Sequence, residues 1–434
     1  MAERWDTARV LALAQDASSR RAARPLAARH MWLTAGTAGT TAWGECQGNA
    51  ASPYQTAADL AGPAYTCSCP SRKSPCKHAL ALLLLWSSGQ VTEGGEPPDW
   101  AARWLRSRTA RTRTASAAGR EAPADPEAAQ RRAAQREARV AAGLDELDRW
   151  LADQVRQGLA HSPKASYLHW DTIAARMIDA QAPGIAERLR ALPAVLHSGA
   201  GWESRLLEEY ALLRLLLTAY RRRGRLPPGL DGTVRSRIGF TSRHADVIAH
   251  GEHVKDRWLV LARRDLELER IRTRRTWLRA DGTGRVALVL SFAGPGESFD
   301  LSLPPGAGAV LELAFYPGAL PLRALIVTSE DPHPAGPPPG TTAAGALNGW
   351  AHALAADPWL ESWPVIITAT PAREPRPCLA DADGDALPLH PGAGDCWPLL
   401  AVSAGRPVTV AAEWSPRGLW PLTVWDQAGL AVPL

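Results

Sequence analysis

Three cysteines and a histidine stand close together in the run YTCSCPSRKSPCKHAL: Cys67, Cys69, Cys76 and His78. The pattern is C-x-C, six residues, then C-x-H. Residues two apart on an extended strand point to the same side, so Cys67 and Cys69 can present two sulfurs together. The PSRKSP segment reverses the chain and returns Cys76 and His78 where a helix begins. Three thiolates and one imidazole fill a tetrahedral zinc shell and leave no open position. Such a closed shell predicts one structural zinc ion rather than a catalytic one. Arg72, Lys73 and Lys77 flank the donors, and positive charge nearby favours thiolate over thiol. The same three side chains suit contact with backbone phosphates, though simple solvation suits them equally. The competing reading of the cluster is a set of buried or redox-active thiols. Cys46 is a possible competing ligand, while Cys378 and Cys396 read as small, partly buried residues.

The elements around this cluster must supply two strands and a helix. Residues 43–46 and 54–60 read as strands separated by a turn at Gly48-Asn49, and residues 64–69 as a third. A helix follows from about Lys77. Its segment 79–86 is almost purely apolar, which predicts that Leu82, Leu83 and Trp86 cap a small core. An exposed hydrophobic docking face is the functional alternative.

The C-x-C-x6-C-x-H spacing resembles the SWIM zinc finger. With WGECQG (43–48), PYQTAADL (53–60) and CSCPSRKSPCKHAL (67–80), the chain is similar to bacterial SWIM zinc finger family proteins over roughly residues 35–88. The resemblance implies a ββα zinc module that binds nucleic acid (DNA or RNA) or a protein partner. It also implies an association with MoxR-type AAA ATPases, in a chaperone-like or assembly role.

The rest of the 434 residues divides by composition. Residues 1–30 predict an N-terminal helix with Trp5, Val10, Leu11 and Leu13 on one face. Residues 31–88 form the zinc module. Residues 89–125, with Gly94, Gly95, Pro97 and Pro98 followed by an Arg/Thr/Ala-rich run, predict a basic flexible linker. Between 101 and 140 there are ten arginines against four acids. A tether and a nonspecific nucleic-acid contact both fit that run. Residues 126–223 predict a helical region. Val140, Leu144, Leu147 and Leu151 recur at helical spacing, and further helices are expected around 169–181, 183–197 and 203–222. Residues 234–434 predict a β-rich region with one helix around 346–356. The fold class expected is therefore α+β and multidomain.

Near the end, Asp381-x-x-Gly384-x-x-x-Pro388-Leu389 recurs as Asp426-x-x-Gly429-x-x-x-Pro433-Leu434. Both copies read as hairpins. A calcium loop at Asp381, Asp383 and Asp385 lacks the glycine and glutamate that an EF-hand needs at its sixth and twelfth positions.

No nucleotide-binding P-loop, nucleophile elbow or H-E-x-x-H pattern occurs. His250 and His253 lack a third ligand, and Glu203, Glu208 and Glu209 fall on a solvated helix face. The eighteen tryptophans are spread as packing anchors rather than gathered as a stacking platform. The net charge of +5 suits a polyanionic partner. No apolar run approaches the length of a membrane span, and the first residues lack a signal peptide, which predicts a cytoplasmic protein. The expectation is a zinc-binding, non-enzymatic interaction protein. Its partner is nucleic acid or, alternatively, a protein assembly of the AAA ATPase type.

Overall fold

The computed structural model describes residues 4–14, 17–47, 52–60, 64–71, 75–94, 96–104, 126–159, 167–227, 229–268, 271–294, 299, 303–374 and 376–434. The N-terminal part opens with α1 (Thr7–Ala12) and α2 (Ala17–Ala23). Asp6 caps α1 by accepting the Arg9 backbone N–H at 2.6 Å. The single helix expected over residues 1–30 is thus two short helices followed by two 3-10 turns. Pro25 starts the first of these turns, and a proline lacks the N–H that would continue α2.

Next come β1 (Trp32–Ala38), β2 (Thr41–Cys46), β3 (Tyr54–Asp59), β4 (Ala64–Cys67), α3 (Lys77–Ser87) and β5 (Thr92–Glu93). They form one sheet in the order β4-β3-β2-β1-β5. The ββα unit of the finger is therefore one edge of a larger sheet. β5 pairs parallel with β1, so the residues expected to begin the linker complete the module. Most of the rest of that linker, residues 105–125, lies outside the described residues.

Helix α3 is buried all round because the sheet covers one side and α1 and α2 cover the other. Leu82, Leu83 and Trp86 pack with Trp5, Val10, Leu13, Ala23 and Trp32 in one core. This rules out the exposed docking face and makes residues 4–94 one packing unit.

A bundle follows: α4 (Pro126–Gln157), α5 (Tyr167–Asp179), α6 (Pro183–Leu196), α7 (Trp202–Arg221) and α8 (Leu230–Ile238). The expected stripe Val140, Leu144, Leu147 and Leu151 is buried against Trp170, Ile173, Met177 and Leu213. Val234 and Ile238 of α8 join the same core, so the bundle extends past residue 223.

After α9 (His244–His250), five strands follow: β6 (Glu252–Leu268), β7 (Ile271–Ala280), β8 (Val286–Ala293), β9 (Ala307–Phe315) and β10 (Arg323–Ser329). They pair in the order β10-β8-β7-β6-β9, and β10 also pairs with β9, which closes a barrel. Trp258, Val260, Leu278, Leu311 and Phe315 fill its interior. The short β11 (His333–Pro334) extends β9.

The last unit is a six-stranded sheet, β14-β13-β12-β15-β16-β17. Its strands are β12 (Trp363–Ala372), β13 (Cys378–Ala380), β14 (Ala386–Pro388), β15 (Val408–Ser415), β16 (Gly418–Trp425) and β17 (Ala431–Pro433). Helices α10 (Ala343–Ala356) and α11 (Trp397–Ser403) accompany it. Leu261 and Trp277 of the barrel pack on Ala411, Leu422 and Trp425 of this sheet.

The two echoing segments are matching hairpin turns. Asp381 Oδ1 accepts the N–H groups of Asp383 and Asp385, both at 3.0 Å. Asp426 Oδ1 accepts those of Ala428 and Leu430, both at 2.9 Å. Gly384 and Gly429 take positive φ of 90° and 77°. Backbone N–H groups occupy the Asp381 oxygens, so the turn has a complete account without calcium.

Candidate metal centre

Cys67 ends β4, and Cys69 follows two residues later on the same side. Backbone pairing holds this end in place. Thr56 of β3 lies opposite Cys67, and the Ser68 N–H donates to the Gln55 carbonyl at 2.9 Å. Cys76 is the N-cap of α3, and its sulfur accepts the Ala79 N–H at 3.4 Å. A sulfur at a helix N-terminus sits where the dipole favours negative charge. His78 follows in the first turn.

The four donor atoms lie within 4.8 Å of one another. Zinc–sulfur bonds of about 2.3 Å in a tetrahedron put sulfurs roughly 3.8 Å apart, so the cluster closes on an ion with small adjustments. The Cys67 sulfur and His78 Nδ1 are already 3.8 Å apart. Cys76 and His78 are buried, and Cys67 and Cys69 are half-buried.

The three thiols titrate as one group. Hydrogen bonds from Cys67 and Cys76 hold the Cys69 thiol far below its ordinary value. Cys67, which donates to Cys69, is pushed up to about 11, and its hydrogen bonds to Cys67 and Cys69 also raise Cys76. A divalent cation resolves this crowding by replacing the shared protons, so metal uptake and proton release are linked.

Two supporting residues carry no mark in the ligand spacing. The Thr56 hydroxyl lies 3.2 Å from the Cys67 sulfur. The Tyr54 ring lies against His78, with centroids 4.7 Å apart and planes at 31°. Both project from β3, two residues apart, so strand alternation was the signal that could have found them. Such outer contacts orient metal ligands and tune their basicity.

Cys46 takes no part. It is fully buried, its thiol donates weakly to the Gln47 carbonyl, and burial pushes its pKa up to about 11. Cys378 and Cys396 are far along the chain, on β13 and at the start of α11. Lys77 is exposed at the first position of α3. Arg72 and Lys73 lie outside the described residues. His250 and His253 are held apart from any metal role: His253 Nδ1 pairs with Glu312 at 2.8 Å, and His250 faces the Asp246 carbonyl.

No described helix is long and apolar enough to cross a membrane. Comparison with curated proteins and with solved structures gave no match. Two family models match the chain. The SWIM zinc finger covers residues 59–86, which hold β4, all four donors and most of α3. The SWIM-associated four-helix bundle domain covers residues 135–238, the bundle from α4 to the end of α8. The closed Cys/Cys/Cys/His shell is thus a site for one structural zinc ion, and the chain carries a SWIM zinc finger and a SWIM-associated four-helix bundle domain.

Proposed function

We propose that this protein is a cytoplasmic, non-enzymatic nucleic-acid-binding protein, and that its zinc module presents the contact surface. The supporting observation is how charge is distributed. Residues 1–140 carry 19 Lys and Arg against 12 Asp and Glu, while residues 141–434 carry 30 against 32. Most of that excess falls in residues 101–140, with ten arginines against four acids, directly after the zinc module, whose own stretch 1–100 carries nine Lys and Arg against eight acids.

Within the module, Arg20 and Arg21 of α2 and Arg24 just after it are exposed to solvent. None of them, and not Lys77, makes an ion pair among the described residues. Unneutralised cations on a rigid scaffold suit a polyphosphate backbone. The zinc ion would act indirectly, by tying the end of β4 to the start of α3.

The test titrates labelled single- and double-stranded 20-mers with the zinc-loaded full chain at increasing salt. Affinity should fall linearly on a log–log scale, with a slope of about −0.9 per phosphate contact on duplex. Lys77→Ala and the Arg20/Arg21/Arg24→Ala triple variant should each reduce the slope. Cys76→Ser should weaken binding further. Binding that ignores all of these substitutions would shift the contact to residues 105–125. No binding at 50 mM salt would sink the reading and turn the search to protein partners.

A further inference from the structure

The loop between β9 and β10, residues 316–322, is clamped between the barrel and the bundle. Gly229 precedes α8 and Gly232 lies in its first turn. A Cβ on them would come within 2.7 and 3.1 Å of the Gly318 and Pro317 carbonyl oxygens. Glycine lets the loop backbone settle on the start of the helix. There Thr233 Oγ1 accepts the Ala319 N–H at 2.9 Å.

Two adjoining hollows flank this loop. The larger, about 820 Å³, is lined by Arg136, Arg235, Phe240, His244 and Arg323. The smaller, about 230 Å³, is lined by Trp277, Leu288, Leu320, Leu322, Glu361 and Ser362. Ser236, Tyr316, Pro317 and Arg323 line both.

The larger hollow holds uncommitted cationic and donor groups. Arg235 is paired with Glu137, and Asp246 with Arg243. Arg136 and Arg323 have no carboxylate partner among the described residues. Arg136 donates to the Gly239 carbonyl at 3.2 Å and keeps a buried Nε with no acceptor. The Arg323 guanidinium lies 4.5 Å over the Tyr316 ring. The Tyr316 hydroxyl is buried without a partner, and desolvation raises its pKa, which keeps the proton available to donate. Asp231 is the remaining acid of the hollow. Two buried donors without acceptors among the described residues, Arg136 Nε and the Tyr316 hydroxyl, beside the Arg323 guanidinium, fit an anionic oxygen cluster.

Strand order gives an independent pointer. Counted from β6, the barrel strands pair 1-2-3-5-4-1, with the third and fifth parallel. This is the Greek-key arrangement of OB-type barrels. Such barrels take oligonucleotides and oligosaccharides on the face of strands two and three, beside the loop after strand four. Here Trp277 and Leu288 of strands two and three edge the smaller hollow, where their face emerges from under the C-terminal sheet, and the loop after strand four is the shared wall.

We propose that the paired hollows bind a nucleoside phosphate. The phosphate lies between Arg136 and Arg323 and accepts from Tyr316. The base enters the smaller hollow, where Glu361 and Ser362 can meet its polar edge. The same group can come from a free nucleotide or from the phosphorylated end of a single strand.

The test is calorimetric titration of the full chain with AMP, adenosine, inorganic phosphate and 5′-phosphorylated (dT)4. AMP should bind more tightly than adenosine or phosphate alone. Arg323→Gln should weaken AMP about tenfold, and Tyr316→Phe about threefold, as expected for losing a charge-assisted and a neutral hydrogen bond. Tyr316→Phe keeps the ring under Arg323, so it guards against a folding artefact. Binding of AMP alone identifies a free nucleotide, and binding of (dT)4 alone identifies a strand end. In either case, dependence on Arg323 supports the site. Absence of binding by both, or binding unchanged in both variants, overturns it. Neither substitution touches the zinc module, so loss of duplex binding by Lys77→Ala leaves this result independent.

Discussion

Two polar hubs hold this molecule together, and they are opposite in sign. In the N-terminal module a cation site is ringed by four anionic or lone-pair donors from β4, the ligand loop and α3. In the C-terminal half the buried carboxylate of Glu413, on β15, is ringed by donors from the barrel. It accepts from Trp277 Nε1 at 2.6 Å, Arg275 Nε at 3.1 Å and an Arg264 guanidinium nitrogen at 3.0 Å. The zinc hub joins neighbours in the sequence, residues 67–78, whereas Glu413 reaches partners about 140 residues earlier. They differ also in what surrounds them. Glu413 sits in a broad apolar contact between two sheets, whereas the zinc donors sit at the edge of a small sheet beside irregular loops. The metal hub should therefore decide whether its surroundings are ordered, and the carboxylate hub should only modulate how firmly two formed sheets adhere.

The largest effect is expected from removing zinc. Structural zinc binding contributes on the order of 10 kcal/mol in small fingers. Chelation or Cys76→Ser should strip hydrogen-exchange protection from β3, β4 and the first turn of α3, while the barrel keeps its protection. The comparison breaks if the zinc-free module exchanges as slowly as the loaded one, because the core around Leu83 and Trp86 would then suffice. Uptake should also weaken toward acid pH, since three thiols and an imidazole must lose protons to bind metal.

Next in size is Glu413→Gln. The amide can still accept from Trp277 but leaves Arg264 and Arg275 facing a neutral group in a mostly buried contact. Breaking a buried ion pair from one side costs roughly 3 kcal/mol. A loss of unfolding free energy of that order, read as a lower urea midpoint at unchanged slope, is expected for the sheet–barrel contact, with the zinc content unchanged. A loss near zero would mean that apolar contact alone carries the junction.

The two hubs also differ in how far the sequence disclosed them. The zinc site was legible because its chemistry is local: four ligand types at fixed spacing within a short run. Helix positions in the bundle were legible for a similar reason, since Val140, Leu144, Leu147 and Leu151 report a single face. Glu413 was invisible, because its partners Arg264, Arg275 and Trp277 stand about 140 residues earlier on another sheet. Barrel closure was hidden likewise: the β10–β8 pairing comprises two residue pairs and leaves no periodic trace. β1 was missed because LTAGTA, small and polar, lacks the apolar alternation of a strand, and β2 and α3 impose its conformation by packing. The unbroken apolar run of α3 reported burial correctly, but not that α1 and α2 would supply the second cover.

A third, intermediate effect sharpens the contrast through pH. Burial would raise the Glu137 carboxyl, but hydrogen bonds from Tyr220, Arg235 and Arg223 outweigh it and hold the group at about 2. The folded value is depressed below the ordinary 4.5, so its stabilising contribution is present above that value. It is lost as pH falls from there toward 2. Glu137→Gln should therefore lower the bundle's stability at pH 7 and flatten its acid-side decline. A parallel decline in both proteins would show that other carboxylates govern the acid limb.

The smallest effect should separate the twin hairpin turns. Asp381 and Asp426 each accept two backbone N–H groups of their own turn, but Asp381 Oδ2 also accepts the Ala343 N–H at 2.8 Å. That bond ties the β13–β14 hairpin to the first turn of α10, while the Asp426 side chain bonds only its own hairpin among the described residues. Asp381→Ala should lower the melting temperature more than Asp426→Ala, and its amide-exchange changes should reach α10. Equal shifts confined to the two turns would mean that the contact to α10 adds nothing, and that only the local turn chemistry repeated in the sequence carries energetic weight.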